Sequence, residues 1–436
     1  MSAPVHEPSV TDLVAADPAA TCDTDLAQGP WIFDLVPGYG PGASEGDVLP
    51  DPVTRPGQLP VAYQRMDDAE LHERIRAAKA TLGDRLVVLG HFYQRDEVVQ
   101  HADFVGDSFQ LANAALTRPD AETIVFCGVH FMAETADILA RDDQRVLLPN
   151  LAAGCSMADM ADEDSVETAW EQLMALYADE VEPGGGSGPR AEDGAAQQPV
   201  VPVTYMNSSA ALKAFCGRHG GIVCTSSNAE TVLEWAFERG RRVLFFPDQH
   251  LGRNTAKAMG VPLEQMPMIN PRRPGLGCTE DELRAAKVLL WPGFCSVHKR
   301  FTVAQIEKAR ADHPGCKVIV HPESPMPVVD AADASGSTDA IQKFVAASSP
   351  GDVIAIGTEI NLVNRLAAQY PDRTIFCLDP VICPCSTMYR IHPGYLAWTL
   401  DGLVEGEVRN QVSVPADVAR DARTALERML AALPKA

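Results

Sequence analysis

The 436-residue sequence contains no uninterrupted apolar run approaching the roughly 18 residues that a membrane span requires. Its N-terminus lacks the basic-then-apolar pattern of a secretory leader. A Walker loop is missing, and neither GTEINL nor GPGASEG stands in the helix-opening context of a nucleotide fingerprint. Basic residues are scarce: 36 Lys and Arg face 59 Asp and Glu, for a net charge of −23. Such a charge disfavours nucleic acid and anionic membrane surfaces, because both are polyanions. A small anionic substrate stays open, since helix N-termini bind anions locally. Together these absences predict a cytoplasmic chain with no membrane, nucleic-acid or nucleotide partner.

What is present is globular in balance, with 46% apolar and 22% charged residues. The length calls for roughly two to four domains rather than one core. Eleven cysteines in a cytoplasmic chain read as thiols, not disulfides. Taken singly, each reads first as core filler; Cys127, Cys224 and Cys377 lie inside strand-like runs, and Cys22 in a loose tail.

Residues 1–60 are rich in Pro, Gly, Ala and Asp without a sustained period, which predicts a poorly structured extension, draped over the body through Trp31 and Phe33. A helix follows from about Asp67 to Leu82. Thereafter short apolar strands alternate with helices in three passes. The first pass runs LVVLGHFY, TIVFCGV and RVLLP, ending in the turn with Cys155. The second runs VVPVTYMN, GIVCTSS, RVLFFPD and VLLWPG, ending at Cys295; the third runs KVIVHPES, DVIAIGTE and TIFCLD, ending at Cys385. A final strand around Val412 and Val414 precedes a C-terminal helix near Pro415. This alternation predicts an α/β fold of three pseudo-symmetric α/β/α domains, with short parallel sheets around a central active site. The expected ranges are 61–155 plus 390–436, then 156–292 with a flexible Gly-rich insertion at 182–199, then 293–389.

Ligands of open α/β sheets bind beyond the carboxyl ends of the strands. There the passes place polar residues at i and i+2, on one side of an extended chain: His91/Tyr93, Tyr205/Asn207 and His321/Glu323. A second set stands at helix starts: Asp107/Ser108, Ser208/Ser209, Ser226/Ser227/Asn228 and Ser337/Thr338. Capping is the ordinary use of such residues, and converging helix starts would also bind phosphate or carboxylates. Cys155, Cys295 and Cys385 form the third set. Three thiolates could hold zinc with one further ligand, or a [4Fe–4S] cluster with one iron left open, or they could be scattered core cysteines. Cys383, in Cys-Pro-Cys, could supply a second ligand or a spare thiol.

At GHFYQRDEVVQHADFVGDS, FCGVHFMAETADIL, YMNSSA, TSSNA, FFPDQHLG, GFCSVHKRFT, VIVHPES and CSTMYRI the chain resembles the quinolinate synthase A family, over about residues 85–392. The resemblance implies three pseudo-symmetric α/β domains and an iron–sulfur enzyme of de novo NAD biosynthesis. Such an enzyme condenses iminoaspartate, received from an aspartate-oxidising enzyme, with dihydroxyacetone phosphate to give quinolinate, phosphate and water. It implies one [4Fe–4S] cluster per chain on Cys155, Cys295 and Cys385, the last preferred over Cys383 by its spacing to Met388. It also implies substrate binding by His91, Ser108, Tyr205, Asn207, Ser226, His321, Glu323, Ser337 and Thr338. Tyr93 matches an active-site tyrosine, so His91, Tyr93 and Glu323 are the expected proton carriers. His298 and Lys299 read as supporting residues. The alternatives are an iron–sulfur hydro-lyase acting on another hydroxy acid, and a non-catalytic redox sensor or zinc-stabilised binding protein.

Overall fold

The computed structural model describes residues 59–432, apart from 109, 112, 113, 115, 116, 119, 181–196, 382 and 383. The N-terminal extension with Cys22, Trp31 and Phe33, most of the Gly-rich insertion and Cys383 lie outside the described residues. No helix among the described residues is long and apolar enough to cross a membrane.

Among the described residues thirteen strands build three sheets: β1 (Leu86–His91), β2 (Phe104–Gly106), β3 (Thr123–Cys127), β4 (Arg145–Leu147), β5 (Gln198–Tyr205), β6 (Ile222–Cys224), β7 (Gly240–Phe246), β8 (Val288–Leu290), β9 (Lys317–Val320), β10 (Ala334–Ser335), β11 (Val353–Gly357), β12 (Thr374–Cys377) and β13 (Gln411–Val412). The sheet orders are β13-β4-β3-β1-β2, β6-β5-β7-β8 and β10-β9-β11-β12. Set β13 aside and each sheet reads second, first, third, fourth, so one winding occurs three times. Every pair is parallel except β13 with β4, which is antiparallel.

The central strands are buried on both faces, as continuous runs such as LVVLGH require. The third strand of each sheet passes into a helix, His130–Leu139, Gln249–Ala258 or Ile360–Gln369, with Val129, Asp248 or Glu359 at the cap position. The Asp248 and Glu359 carboxylates accept backbone N–H groups there, at 2.6 Å from Leu251 and 2.8 Å from Asn361.

Hydropathy does not reveal β2 and β10. They are three and two residues long and lie at sheet edges, so backbone pairing to β1 and β9 makes them strands rather than any apolar run. Cys377, expected in the core, is only half-buried because β12 is itself an edge strand. The nine described cysteines are all free thiols.

Two helices near the chain's ends pack against the body, and the C-terminal one ties two sheets together. Asp68–Leu82, capped by Asp67, buries Leu71, Ile75, Ala78 and Leu82 and packs on Pro393–Glu405. Ala416–Ala432 packs against Ala210–Arg218, so the C-terminal helix reaches from the first sheet to the second. Gly217 permits that crossing, since a Cβ there would lie 1.9 Å from the carbonyl oxygen of Asp421.

Candidate active site

The carboxyl ends of all three sheets open onto one cavity. His91 and Tyr205 close β1 and β5, and His321 follows β9 directly; all three are at most 5% exposed. Two positions past the end of each second strand stand Ser108, Ser226 and Ser337, after Gly106, Cys224 and Ser335. The cysteines follow the fourth strands, in the turns leaving β4, β8 and β12. A strand ends where its side chains leave the sheet, so a threefold winding carries each kind of residue to the same place three times.

The cavity is lined by His91, Tyr93, Ser108, Cys155, Tyr205, Asn207, Ser226, Cys295, His321, Glu323, Thr338 and Cys385. Of the residues singled out in the sequence, Ser337 does not line it. Its side chain accepts from the Ala340 backbone N–H and caps the helix Thr338–Ala347, which leaves Thr338 to face the space. Of the other helix-start residues, Asp107 lines the cavity, whereas Ser209 caps its own helix by accepting from Leu212.

A chain of hydrogen bonds crosses from one sheet to the next. Tyr205 Oη donates to Glu323 Oε1 at 2.6 Å. The other carboxylate oxygen, Oε2, lies 2.8 Å from His298 Nδ1, and His298 Nε2 lies 3.1 Å from Thr358 Oγ1. Thr358 Oγ1 in turn meets Tyr93 Oη at 2.7 Å. The His298 ring stacks on His321, with centroids 4.4 Å apart. Neither the place of His298 in the cavity wall nor the part of Thr358 is legible in the sequence. The former has a faint signal in its position three residues after Cys295; the latter is one threonine at a strand end.

Electrostatics follow from burial. Burial pulls the His91 imidazole down to about 3, with the Arg365 cation adding to it. His321 falls to about 3 through burial and the neighbouring His298. Burial and the Glu323 charge push the Tyr93 and Tyr205 phenols well above their ordinary range. Burial would raise the Glu323 carboxyl too, yet His298, His321 and the bonds from His298 and Tyr205 outweigh it and hold the group below the usual carboxylate range.

His91 Nδ1 accepts the Tyr93 backbone N–H at 3.1 Å, and His321 Nδ1 that of Glu323 at 3.3 Å. In a neutral imidazole the other nitrogen then carries the proton, so both rings enter the cavity as Nε2–H donors.

Burial raises the Cys155 thiol to about 12, lifts Cys295 well above its ordinary value with help from Glu323, and lifts Cys385 as well. Three half-buried thiolates on one cavity without a cation would be costly, and a metal centre supplies that charge. Among the described residues Cys295, His298 and Glu323 form a group whose ligand atoms all lie within 4.8 Å of one another.

The family model described as Quinolinate synthetase A protein matches residues 73–431. The quinolinate synthase of Corynebacterium glutamicum is 69% identical over 398 residues, covering 91% of this chain and 96% of the relative. That of a Nocardioides species is 54% identical over 383 residues, covering 86% and 92%. That of Streptomyces coelicolor is 53% identical over 379 residues, covering 86% and 91%. With a threefold α/β winding around one cavity, and a family model that spans nearly all the described residues, the chain belongs to the quinolinate synthetase A family.

Proposed function

We propose that the chain condenses iminoaspartate with dihydroxyacetone phosphate to give quinolinate, phosphate and water, in de novo NAD biosynthesis, on iminoaspartate delivered by an aspartate-oxidising enzyme. The observation that carries this reading is the meeting of three half-buried thiols and three strand-end polar pairs in one cavity. Cys155, Cys295 and Cys385 are the residues that would hold a [4Fe–4S] cluster. When bound, such a cluster leaves one iron without a protein ligand, a Lewis acid for hydroxyl or carboxylate oxygen.

The remaining work falls to side chains. Ser226, and Thr338 at the first turn of a ten-residue helix, offer hydroxyl and backbone N–H donors to the triose phosphate. Ser108 does the same from the first sheet. Asn207 holds substrate carboxylates, as do the Nε2–H donors of His91 and His321, while Tyr205 lines the same wall with its hydroxyl committed to Glu323. Phosphate elimination, carbon–carbon bond formation and imine closure all require protons to move. Tyr93 is suited to this because its hydroxyl faces the cavity and is oriented through Thr358 and His298 by the ionised Glu323, which fixes where its proton points. His91, beside Tyr93 with ring centroids 5.0 Å apart, stabilises a developing oxyanion by hydrogen bonding from its Nε2–H as protons move around it.

The test is anaerobic purification with iron and sulfide analysis, followed by assay with both substrates, for wild type and Cys385→Ser. About four irons and four sulfides per chain, quinolinate formed, and both lost in the variant are expected. A wild-type chain that holds cluster but makes no quinolinate would overturn the reading.

A further inference from the structure

The group Cys295, His298 and Glu323 is not explained by the three-thiol arrangement, since two of its members are not thiols and two of the thiols lie outside it. Its donors are one sulfur, one imidazole nitrogen and one carboxylate oxygen, a set that suits zinc and is found on catalytic zinc ions with an open fourth position. His298 is 1% and Glu323 2% exposed, and Cys295 is half-buried at the cavity wall. The two non-thiol members are also anchored in the way that ligating residues are. His298 Nε2 meets Thr358 Oγ1 at 3.1 Å while Nδ1 is aimed at the carboxylate. Tyr205 holds the remaining oxygen of Glu323 at 2.6 Å.

We infer that the cluster-free chain binds a single zinc-class divalent cation on Cys295, His298 and Glu323, with the fourth position facing the cavity. Zinc reaches such atoms at about 2.0–2.3 Å, so its ligands stand roughly 3.3–3.7 Å apart. The ion takes the place between His298 Nδ1 and Glu323 Oε2 now spanned by the 2.8 Å hydrogen bond, which lengthens to admit it. Nδ1 becomes the ligand atom, so the proton it directs at Glu323 moves to Nε2, where the Thr358 hydroxyl accepts it and can itself donate onward. The Cys295 thiol gives up its proton to solvent, so binding releases one proton.

Cys295 is shared with the thiol trio, so an ion held here excludes the cluster. That consequence rests on the quinolinate synthase reading; the ion site does not. The site would make cluster assembly sensitive to zinc, and a chain loaded with the wrong metal would be folded but inactive.

The probe is cobalt(II), whose visible and near-ultraviolet bands report tetrahedral thiolate ligation, titrated anaerobically into the full-length cluster-free chain and then displaced by zinc. One equivalent should bind. Cys155→Ser and Cys385→Ser should bind as wild type does. Cys295→Ser should lose the thiolate band, and Glu323→Gln should weaken binding at least about tenfold. Zinc-loaded wild type should take up no iron or sulfide until a chelator removes the zinc. Two results overturn the inference: no stoichiometric cobalt binding by wild type, or equal loss of the band in all three cysteine variants, which would put the ion on the thiol trio. Binding retained by Cys155→Ser shows that a cysteine variant still folds, so loss in Cys295→Ser cannot be ascribed to misfolding of any thiol-deleted chain. Iron and sulfide uptake by zinc-free wild type tests the quinolinate synthase reading separately, so the two can fail independently.

Discussion

Tyr205 Oη donates a 2.6 Å hydrogen bond to Glu323 Oε1 across 118 positions of sequence, joining the end of β5 to the turn after β9. Both residues are at most 5% exposed, so the bond is made in a site with little water to replace it. Removing the phenol in Tyr205→Phe leaves a buried carboxylate one donor short, a cost of about 1.5–3 kcal/mol for a bond to a charged group. We expect kcat/KM to fall at least about tenfold, with an equilibrium urea titration showing destabilisation of that order. If both stay at wild-type values, water has taken over the bond.

The hydroxyl of Tyr93 is linked to His298 through Thr358. Tyr93→Phe keeps the ring and deletes the hydroxyl, and turnover should drop by about a hundredfold or more. Thr358→Val should act in the same direction by breaking the link further along. The visible absorption of the reconstituted cluster is the control. A loss of that absorption in Tyr93→Phe would make the residue structural.

Lys213 is fully buried, its ammonium donating to the Ser208 carbonyl and lying 5.6 Å from the centre of the Phe131 ring. Burial lowers it to about 8, while Glu134 favours its charge. Glu134 itself accepts the Ala210 backbone N–H at 3.0 Å, so this pair fixes the turn that carries Asn207. Lys213→Met leaves the buried Ser208 carbonyl without its ammonium donor and should destabilise the chain by about 1–3 kcal/mol. Adding Glu134→Gln should recover part of that loss. Strict additivity of the two substitutions in urea unfolding would show that the groups are uncoupled.

Stability should fall as the medium is acidified below about pH 6.5. His91, His130 and His321 are held at about 3, and His101, His250 and His392 at about 4, in each case chiefly by burial. The unfolded chain takes up protons at about 6.5 that the folded one refuses, so these groups contribute stability above that pH, and it drains away down to the folded values. Asp159 and Glu359, raised by burial to about 6 and about 7, act oppositely, favouring the folded state as pH falls toward the ordinary carboxylate range. The imidazoles outnumber them. Urea unfolding at pH 5 against pH 7 measures the balance, and His130→Asn should show the shallower slope; equal stability at both values would contradict the assignment.

Much of the architecture is legible in the chain itself. Runs such as LVVLG, VVPVTY and VIAIG are apolar throughout because parallel strands are covered on both faces, and that is a local property. Strand ends are equally visible, and with them His91, Tyr205, His321 and the three cysteines, because a winding that recurs three times carries the residues at its strand ends along with it. The tertiary structure alone decided the rest. β2 and β10 are three and two residues long and exist only because a neighbouring strand supplies their hydrogen bonds, whereas the equally short β13 falls where the sequence predicts a strand around Val412. Whether a helix-start serine caps its helix or faces the cavity depends on a rotation of about one residue, which left Thr338 rather than Ser337 in the wall. The links from Tyr205 through Glu323 and His298 to Thr358 and Tyr93 join all three sheets, and no periodicity records which polar groups packing will press together. Hydrophobic pattern is written along the chain, one element at a time. Polar pairing between distant elements is set only when their cores close, because burial then makes an unpaired group too costly to leave.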